Sequence, residues 1–304
     1  MNSLAIGFSG NSIRIVGISK EKQLLHISEL ETDFDFDNEI LEHSSDEHLI
    51  SEIASVISGN LKKINNIREY NACLSLSPLQ VFTNTIPLEM ETGEQTISSN
   101  ILWDLSMYYP REYENFNVNY YRLGQIYPDD NVYDVLVLGI NKDVLNFYEA
   151  VFEECGLNLS FVDSDHLAIP EFINEFSPGK ENFVSLGLKP GRLDISLNKN
   201  DAVLYYSYAS TGEFDFKTEL DKELRELELK EGFEGLNDIY IYGESLLESV
   251  KEYLEQKYPA VNVNILDPFK NFNAGEFSEG ILHFSSAARF VPLFGLALKG
   301  LRKG

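Results

Sequence analysis

The chain has 304 residues, 43% of them hydrophobic, with ordinary glycine and proline content; this excludes a disordered or fibrous protein and allows two domains. Against 24 Lys and Arg stand 49 Asp and Glu, a formal net charge of -25 that excludes a nucleic-acid partner, because phosphate recognition needs a basic surface. Only two cysteines occur, Cys73 and Cys155, and no run approaches the ~20 apolar residues of a membrane span, so free thiols and a cytoplasmic protein with no direct span are expected.

The chain opens as strand, tight turn, strand: Leu4-Ala5-Ile6-Gly7-Phe8, the turn Ser9-Gly10-Asn11-Ser12, then Ile13-Arg14-Ile15-Val16. Small and turn-forming residues between two apolar runs are hairpin chemistry. Residues 22–30 read as a third strand and the acidic stretch 31–47 as a solvated loop. There Asp33, Asp35 and Asp37 alternate with Phe34 and Phe36, but the glycine and final glutamate of a calcium loop are missing. Leu49, Ile50, Ile53, Val56, Ile57 and Leu61 have helical spacing over 46–63, with Ser45 as the cap, and 71–76 return as a buried strand. This order is the first half of a ribonuclease-H-like lobe.

Residues 79–163 then alternate as strand (80–88), helix (93–109), two strands (117–126 and 133–140), helix (142–155) and strand (159–163). That is a ferredoxin-like β-α-β-β-α-β unit, read as an inserted subdomain, with Asn141 capping its second helix and Gly156 ending it. Ser164-Asp165-His166 cannot align as nucleophile, base and orienter from consecutive positions, and reads as the capped start of a helix over 164–176. After Ser177-Pro178-Gly179-Lys180 the opening hairpin is echoed: Val184-Ser185-Leu186-Gly187-Leu188, the turn Lys189-Pro190-Gly191-Arg192, then Leu193-Asp194-Ile195. A strand (203–209), a charged helix (213–231) with Asp221 and Arg225 as an i,i+4 pair, a strand (238–242), a helix (246–258) and a strand (261–266) follow. A helix over 285–301, kinked at Pro292, closes the chain.

Two such hairpins, one opening each half, predict a duplicated two-lobed α/β fold with a cleft where they meet. The first lobe is 1–78 with 164–180 and 285–304, the insert 79–163, and the second lobe 181–284.

In this order the chain resembles the PilM family of type IV pilus assembly proteins, relatives of FtsA with an actin-like fold. The resemblance rests on Gly7-Phe8-Ser9-Gly10-Asn11-Ser12 before Ile13-Arg14-Ile15-Val16, on Ile86-Pro87-Leu88, and on Tyr108-Tyr109-Pro110. It continues in Val135-Leu136-Val137-Leu138-Gly139 through Cys155-Gly156-Leu157 and ends with Gly295-Leu296-Ala297-Leu298-Lys299. It implies a duplicated ribonuclease-H-like fold with an insert. In active relatives an aspartate on each hairpin holds magnesium and orients the attacking water. Here those positions fall on Gly7, or Ala5 in the other register, and on Ser185.

The adenine-side Gly-Gly becomes Gly243-Glu244, and Thr211-Gly212 matches the small-residue turn after the third strand. The interval before the Tyr240 strand is too short for the family's lid, so the second lobe is reduced. The resemblance thus implies a vestigial nucleotide cleft of Gly7, Ser9, Gly10, Asn11, Ser185, Gly187, Thr211, Gly212, Gly243 and Glu244, a pseudo-ATPase without working ATP or magnesium. An active ATPase of the same family and a component of a type II secretion-like system stay as alternatives.

Tyr108, Tyr109, Tyr113, Phe116, Tyr120, Tyr121 and Tyr127 exceed what a small core needs, and tyrosine is enriched on binding surfaces. Tyr108, Tyr109, Tyr113, Tyr120 and Tyr121 are therefore the candidate partner-binding residues. By resemblance, the groove between first lobe and insert takes the cytoplasmic tail of a PilN-like inner-membrane protein as an extended peptide. The expected function is a cytoplasmic scaffold held at the inner membrane through that partner; a homo-oligomer stays open.

Overall fold

Apolar runs of strand length and apolar stripes of helical period divide the chain into three sheets and the helices that cover them. The computed structural model describes residues 1–62, 64, 66–123, 131–180, 182–200, 202–211, 216–231, 235–244, 246–272 and 287–303. The chain runs β1 (Asn2–Ser9), β2 (Ser12–Ile18), β3 (Leu24–Glu31), α1 (Ile40–His43), α2 (Glu47–Leu61), β4 (Tyr70–Leu76), β5 (Phe82–Glu89), α3 (Glu94–Tyr108), β6 (Phe116–Arg122) and β7 (Val132–Asn141). It continues as α4 (Lys142–Glu154), β8 (Leu159–Ser164), α5 (Ile169–Phe176), β9 (Asn182–Lys189), β10 (Arg192–Lys199), β11 (Ala202–Ser210), α6 (Phe216–Glu231), β12 (Asp238–Gly243), α7 (Leu247–Lys257), β13 (Asn262–Ile265) and α8 (Val291–Lys303).

The duplication read from the two hairpins is present in the sheets. One sheet has the order β3-β2-β1-β4-β8 and another β11-β10-β9-β12-β13. In each, a hairpin pairs antiparallel and its first strand pairs parallel with the strand that follows the helical crossover. The central strands β1, β4, β9 and β12 are apolar on both faces because helices cover both sides. In the first lobe, Phe147, Val151 and Phe152 of α4 pack with Ile53 and Ile57 of α2 over Leu4, Ile6 and Leu74. In the second, Leu220, Leu224 and Leu227 of α6 and Leu254 of α7 cover Val184, Ile195 and Ile239. Helices α5 and α8 fill the space between the lobes, where Phe172, Phe290 and Phe294 meet Phe183 and Tyr240.

The duplicated α/β class stands, but the insert is smaller than its sequence pattern. Its sheet has three strands, β5-β7-β6, with Ile97, Ile101 and Leu105 of α3 packed on Tyr133, Val135 and Val137. Strand β8, expected to be its fourth, pairs instead with β4, and α4 shares a core with α2. The ferredoxin-like reading over 79–163 therefore gives way to β5-α3-β6-β7, because the open edge of β4 takes the last strand.

Smaller corrections have local causes. Asp46, not Ser45, caps α2, accepting from His48 N and Leu49 N. Pro292 is the second residue of α8 and starts the helix rather than kinking it, since its missing N–H would have no partner in the first turn. Asp221 pairs with Lys257 of α7 instead of Arg225.

Candidate functional site

The turns of the two hairpins face each other across a cavity of about 250 Å³ that Ser9, Gly10, Asn11, Arg14 and Asp37 line from one side and Lys189, Arg192 and Glu244 from the other. The first turn is closed by the chain itself. Gly10 N–H donates to Asp37 Oδ2 at 2.8 Å and Ser9 Oγ to the same oxygen at 3.3 Å. Gln80 Nε2 donates to Asp37 Oδ1 at 3.0 Å and to the Phe8 carbonyl at 2.9 Å, while Tyr148 Oη donates to Gln80 Oε1 at 2.8 Å. Phe36, buried with its ring centre 5.0 Å from that of Phe8, anchors the loop that presents Asp37. The acidic stretch read as solvated thus supplies a carboxylate to the hairpin amide.

The second turn is closed by ion pairs. Lys189 and Arg192 both reach Asp165, the latter at 2.8 Å, and Arg192 also meets Asp194 at 2.9 Å and donates to Ser77 Oγ. Arg192 is 2% exposed and Asp194 0%, so two cations and two carboxylates neutralise each other away from water. Burial alone would raise Asp165, but Arg192 and Lys189 outweigh it and hold the carboxyl well below the usual range. Burial, reinforced by the charge of Asp165, raises Asp194 against the pull of Arg192 and Lys189. His166 sits between Tyr242 Oη at 2.6 Å and Ser196 Oγ at 2.8 Å, and burial pushes its pKa down to about 3, so the imidazole is neutral. Asp165 makes no cap hydrogen bond; the helix-cap reading of Ser164-Asp165-His166 is replaced by a salt bridge between the lobes.

The remaining cleft residues are packed. A Cβ added at Gly7 would lie 2.9 Å from Leu293 Cδ2, so the first turn of α8 covers the position to which the resemblance assigns an aspartate. Ser185 is fully buried, and Gly187 lies beneath Tyr242 and Asp194. Gly243, at φ 123, has the Leu188 carbonyl against the place a Cβ would take. Glu244 N–H donates to that carbonyl at 2.8 Å, and its carboxylate pairs with Arg14 Nη1 at 2.8 Å. Arg14 in turn binds Glu29 at 2.6 Å, which also holds Arg289 at 2.9 Å. Thr211 N–H bonds the Gly191 carbonyl across the second turn; Gly212 lies outside the described residues.

A different surface opens beside the insert. Strands β6 and β8 are each the last strand of their sheet. Between them lies a groove of about 190 Å³, floored by Leu76, Leu138, Ile140 and Val162, with Asn117, Asn119 and Tyr121 of β6 and Asp163 of β8 at its margin. Tyr121 is 39% exposed; burial of its hydroxyl and the charge of Asp163 push its pKa up to about 12. Lys299 holds Asp163 at 2.6 Å and the Leu167 carbonyl at 2.8 Å. The tyrosine band divides: Tyr109, Tyr113 and Tyr120 pack into the core of the insert, Tyr120 also donating to Glu94, and Tyr108 is exposed on α3 beside Phe82. Only Tyr121 of the five lines the groove, and Tyr127 lies outside the described residues. Sequence reasoning missed Asp37, Asp165, Lys189, Arg192 and Asp194; an Arg and an Asp two apart on one buried strand face were the one legible signal.

The sequence profile described as Type IV pilus assembly protein PilM matches residues 5–182. None of the curated protein sequences matches the chain. Among solved structures the chain is similar to a PilM-PilN type IV pilus biogenesis complex, with 15% identity over 98% of each chain and a TM-score of 0.72. It is also similar to a Bacteroides thetaiotaomicron protein with an actin-like ATPase fold and unknown function, with 15% identity over 92% of this chain and 95% of that one and a TM-score of 0.50. At these identities the structures speak for the actin-like fold, and the profile, which spans more than half of the sequence, for the family. The chain belongs to the PilM family of type IV pilus assembly proteins.

Proposed function

We propose that this protein is a scaffold of a type IV pilus machine that binds an extended peptide from the cytoplasmic tail of a PilN-like inner-membrane protein and does not turn over ATP. The observation that carries the proposal is the groove between the free edges of β6 and β8. A strand edge offers unpaired backbone groups, and an apolar floor selects alternate side chains of an added strand. Leu138, Ile140 and Val162 provide that floor, and Tyr121 a flat, half-exposed ring beside it. Peripheral attachment to the inner membrane would then come through the partner.

Magnesium and nucleotide fit the residues of the cleft poorly, which supports the pseudo-ATPase reading. Gly7 and Ser185 bring no carboxylate for a metal, the Gly10 amide is engaged by Asp37, and Lys189 and Arg192 are engaged by Asp165 and Asp194. Glu244, tied to Arg14, puts negative charge where a nucleotide would approach. No hydrolytic step is assigned to these groups.

The test is a calorimetric titration of the full chain with a synthetic peptide of the cytoplasmic tail of the PilN-like protein from the same organism. One-to-one binding is expected, weakened about tenfold by Tyr121→Ala and more by Leu138→Asp, with thermal melts confirming that both variants fold. Absence of binding, or binding indifferent to both substitutions, would remove the proposal.

A further inference from the structure

We infer that the cleft between the end of β3 and helix α2 is a second docking site, and that it takes a cationic amphipathic segment of another protein. This cleft lies at the β3 edge of the first-lobe sheet, whereas the tail groove lies at the opposite, β8 edge. Its volume of about 460 Å³ is more than twice the 190 Å³ of that groove. Phe34 forms one wall, and Leu49 and Val56 project from the flank of α2 that faces it. Val56 is 39% exposed, an unusual placement for an aliphatic residue on a helix whose other flank is fully buried.

Three acids frame this apolar floor: Glu31 and Asp33 on the strand side and Glu52 on the helix side. All three are exposed, none makes an ion pair among the described residues, and no Lys or Arg lines the cleft. The spacing of Leu49, Glu52 and Val56 at i, i+3 and i+7 puts two apolar groups and one charge in a row along α2. The row is about 10 Å long at 1.5 Å per residue, which matches two turns of a docked helix.

This charge pattern selects the occupant. A segment with two or three aliphatic side chains flanked by Lys or Arg covers the floor and neutralises the rim at once. An anionic membrane surface would be repelled by the same three acids. A second copy of the chain, at a net charge of -25, is a poor source of the cations required.

The probe is a fluorescein-labelled amphipathic helix of Leu and Lys, titrated against the full chain by anisotropy at low and at high salt. A peptide of the same composition in scrambled order reports simple charge attraction. Binding of the amphipathic peptide is expected to exceed that of the scrambled one about tenfold and to weaken with salt. Val56→Asp, and separately the triple reversal Glu31→Lys, Asp33→Lys, Glu52→Lys, should each weaken it about tenfold or more. A reversal of equal charge elsewhere, Glu112→Lys, Glu248→Lys, Glu252→Lys, and the substitution Tyr121→Ala in the other groove should leave it within about twofold. Thermal melts confirm that each variant folds. Equal binding of the scrambled peptide, or equal weakening by the two triple reversals, would overturn the inference and reduce the interaction to attraction by an acidic chain.

Discussion

In the cleft between the lobes, groups that could receive a ligand are met by the chain's own side chains: the Gly10 amide by Asp37, Lys189 by Asp165, Arg192 by Asp165 and Asp194. In the groove beside the insert, two strand edges and an apolar floor meet no such partners among the described residues. On the proposed reading, the difference teaches that a cleft can be kept for its architecture while its ligand contacts are met from within. Its buried charges form a clasp between the lobes, and the proposal assigns recognition to the groove.

The strongest way to break this comparison is to cut the clasp. Arg192→Met leaves Asp194 buried without its cation and should cost about 3–5 kcal/mol in urea unfolding. A cost below about 1 kcal/mol would mean that Arg192, through Asp165, does not hold the lobes together. The next effect is one of pH. His166 is neutral in the fold, with its pKa pushed down to about 3, and takes a proton in the unfolded chain below about 6.5. The unfolded state therefore binds more protons in that window, so stability falls as pH drops from 6.5, by roughly 1.4 kcal/mol per pH unit from this residue. His166→Asn should remove that share of the slope. Asp165, held low by its two cations, adds its own loss only below the ordinary carboxylate range.

Smaller effects sharpen the contrast. Asp37→Ala withdraws the acceptor of Gly10 N–H and Ser9 Oγ and should cost about 1–2 kcal/mol in thermal unfolding. Asp37→Asn, which keeps an acceptor oxygen, should cost less. Tyr121→Ala should change stability by no more than about 0.5 kcal/mol, because the ring is half exposed, while weakening the tail peptide about tenfold. A large stability loss there would make Tyr121 a core residue rather than a contact.

The duplicated fold was legible because its signals are local. Each hairpin announces itself through an apolar run, a turn of small residues and a second run, and the helices of each lobe carry unbroken apolar stripes. What was not legible depends on partners far along the chain. Asp37 meets Gly10 across 27 residues, and Asp165 meets Arg192 across 27. In sequence, Asp37 looks like any acid of a solvated loop and Asp165 like a helix cap. Strand β8 follows the insert in sequence, and only the open edge of β4 decides which sheet it joins. Among the tyrosines, composition marked the band, but the insert core took Tyr109, Tyr113 and Tyr120 and left Tyr121 at the groove.

The central claim is that the cleft is filled from within, and calorimetric titration of the full chain with ATP and magnesium tests it most directly. The account predicts no saturable heat at millimolar nucleotide, with or without the metal. Micromolar binding that vanishes on adding EDTA would contradict it and return the cleft to the active members of the family.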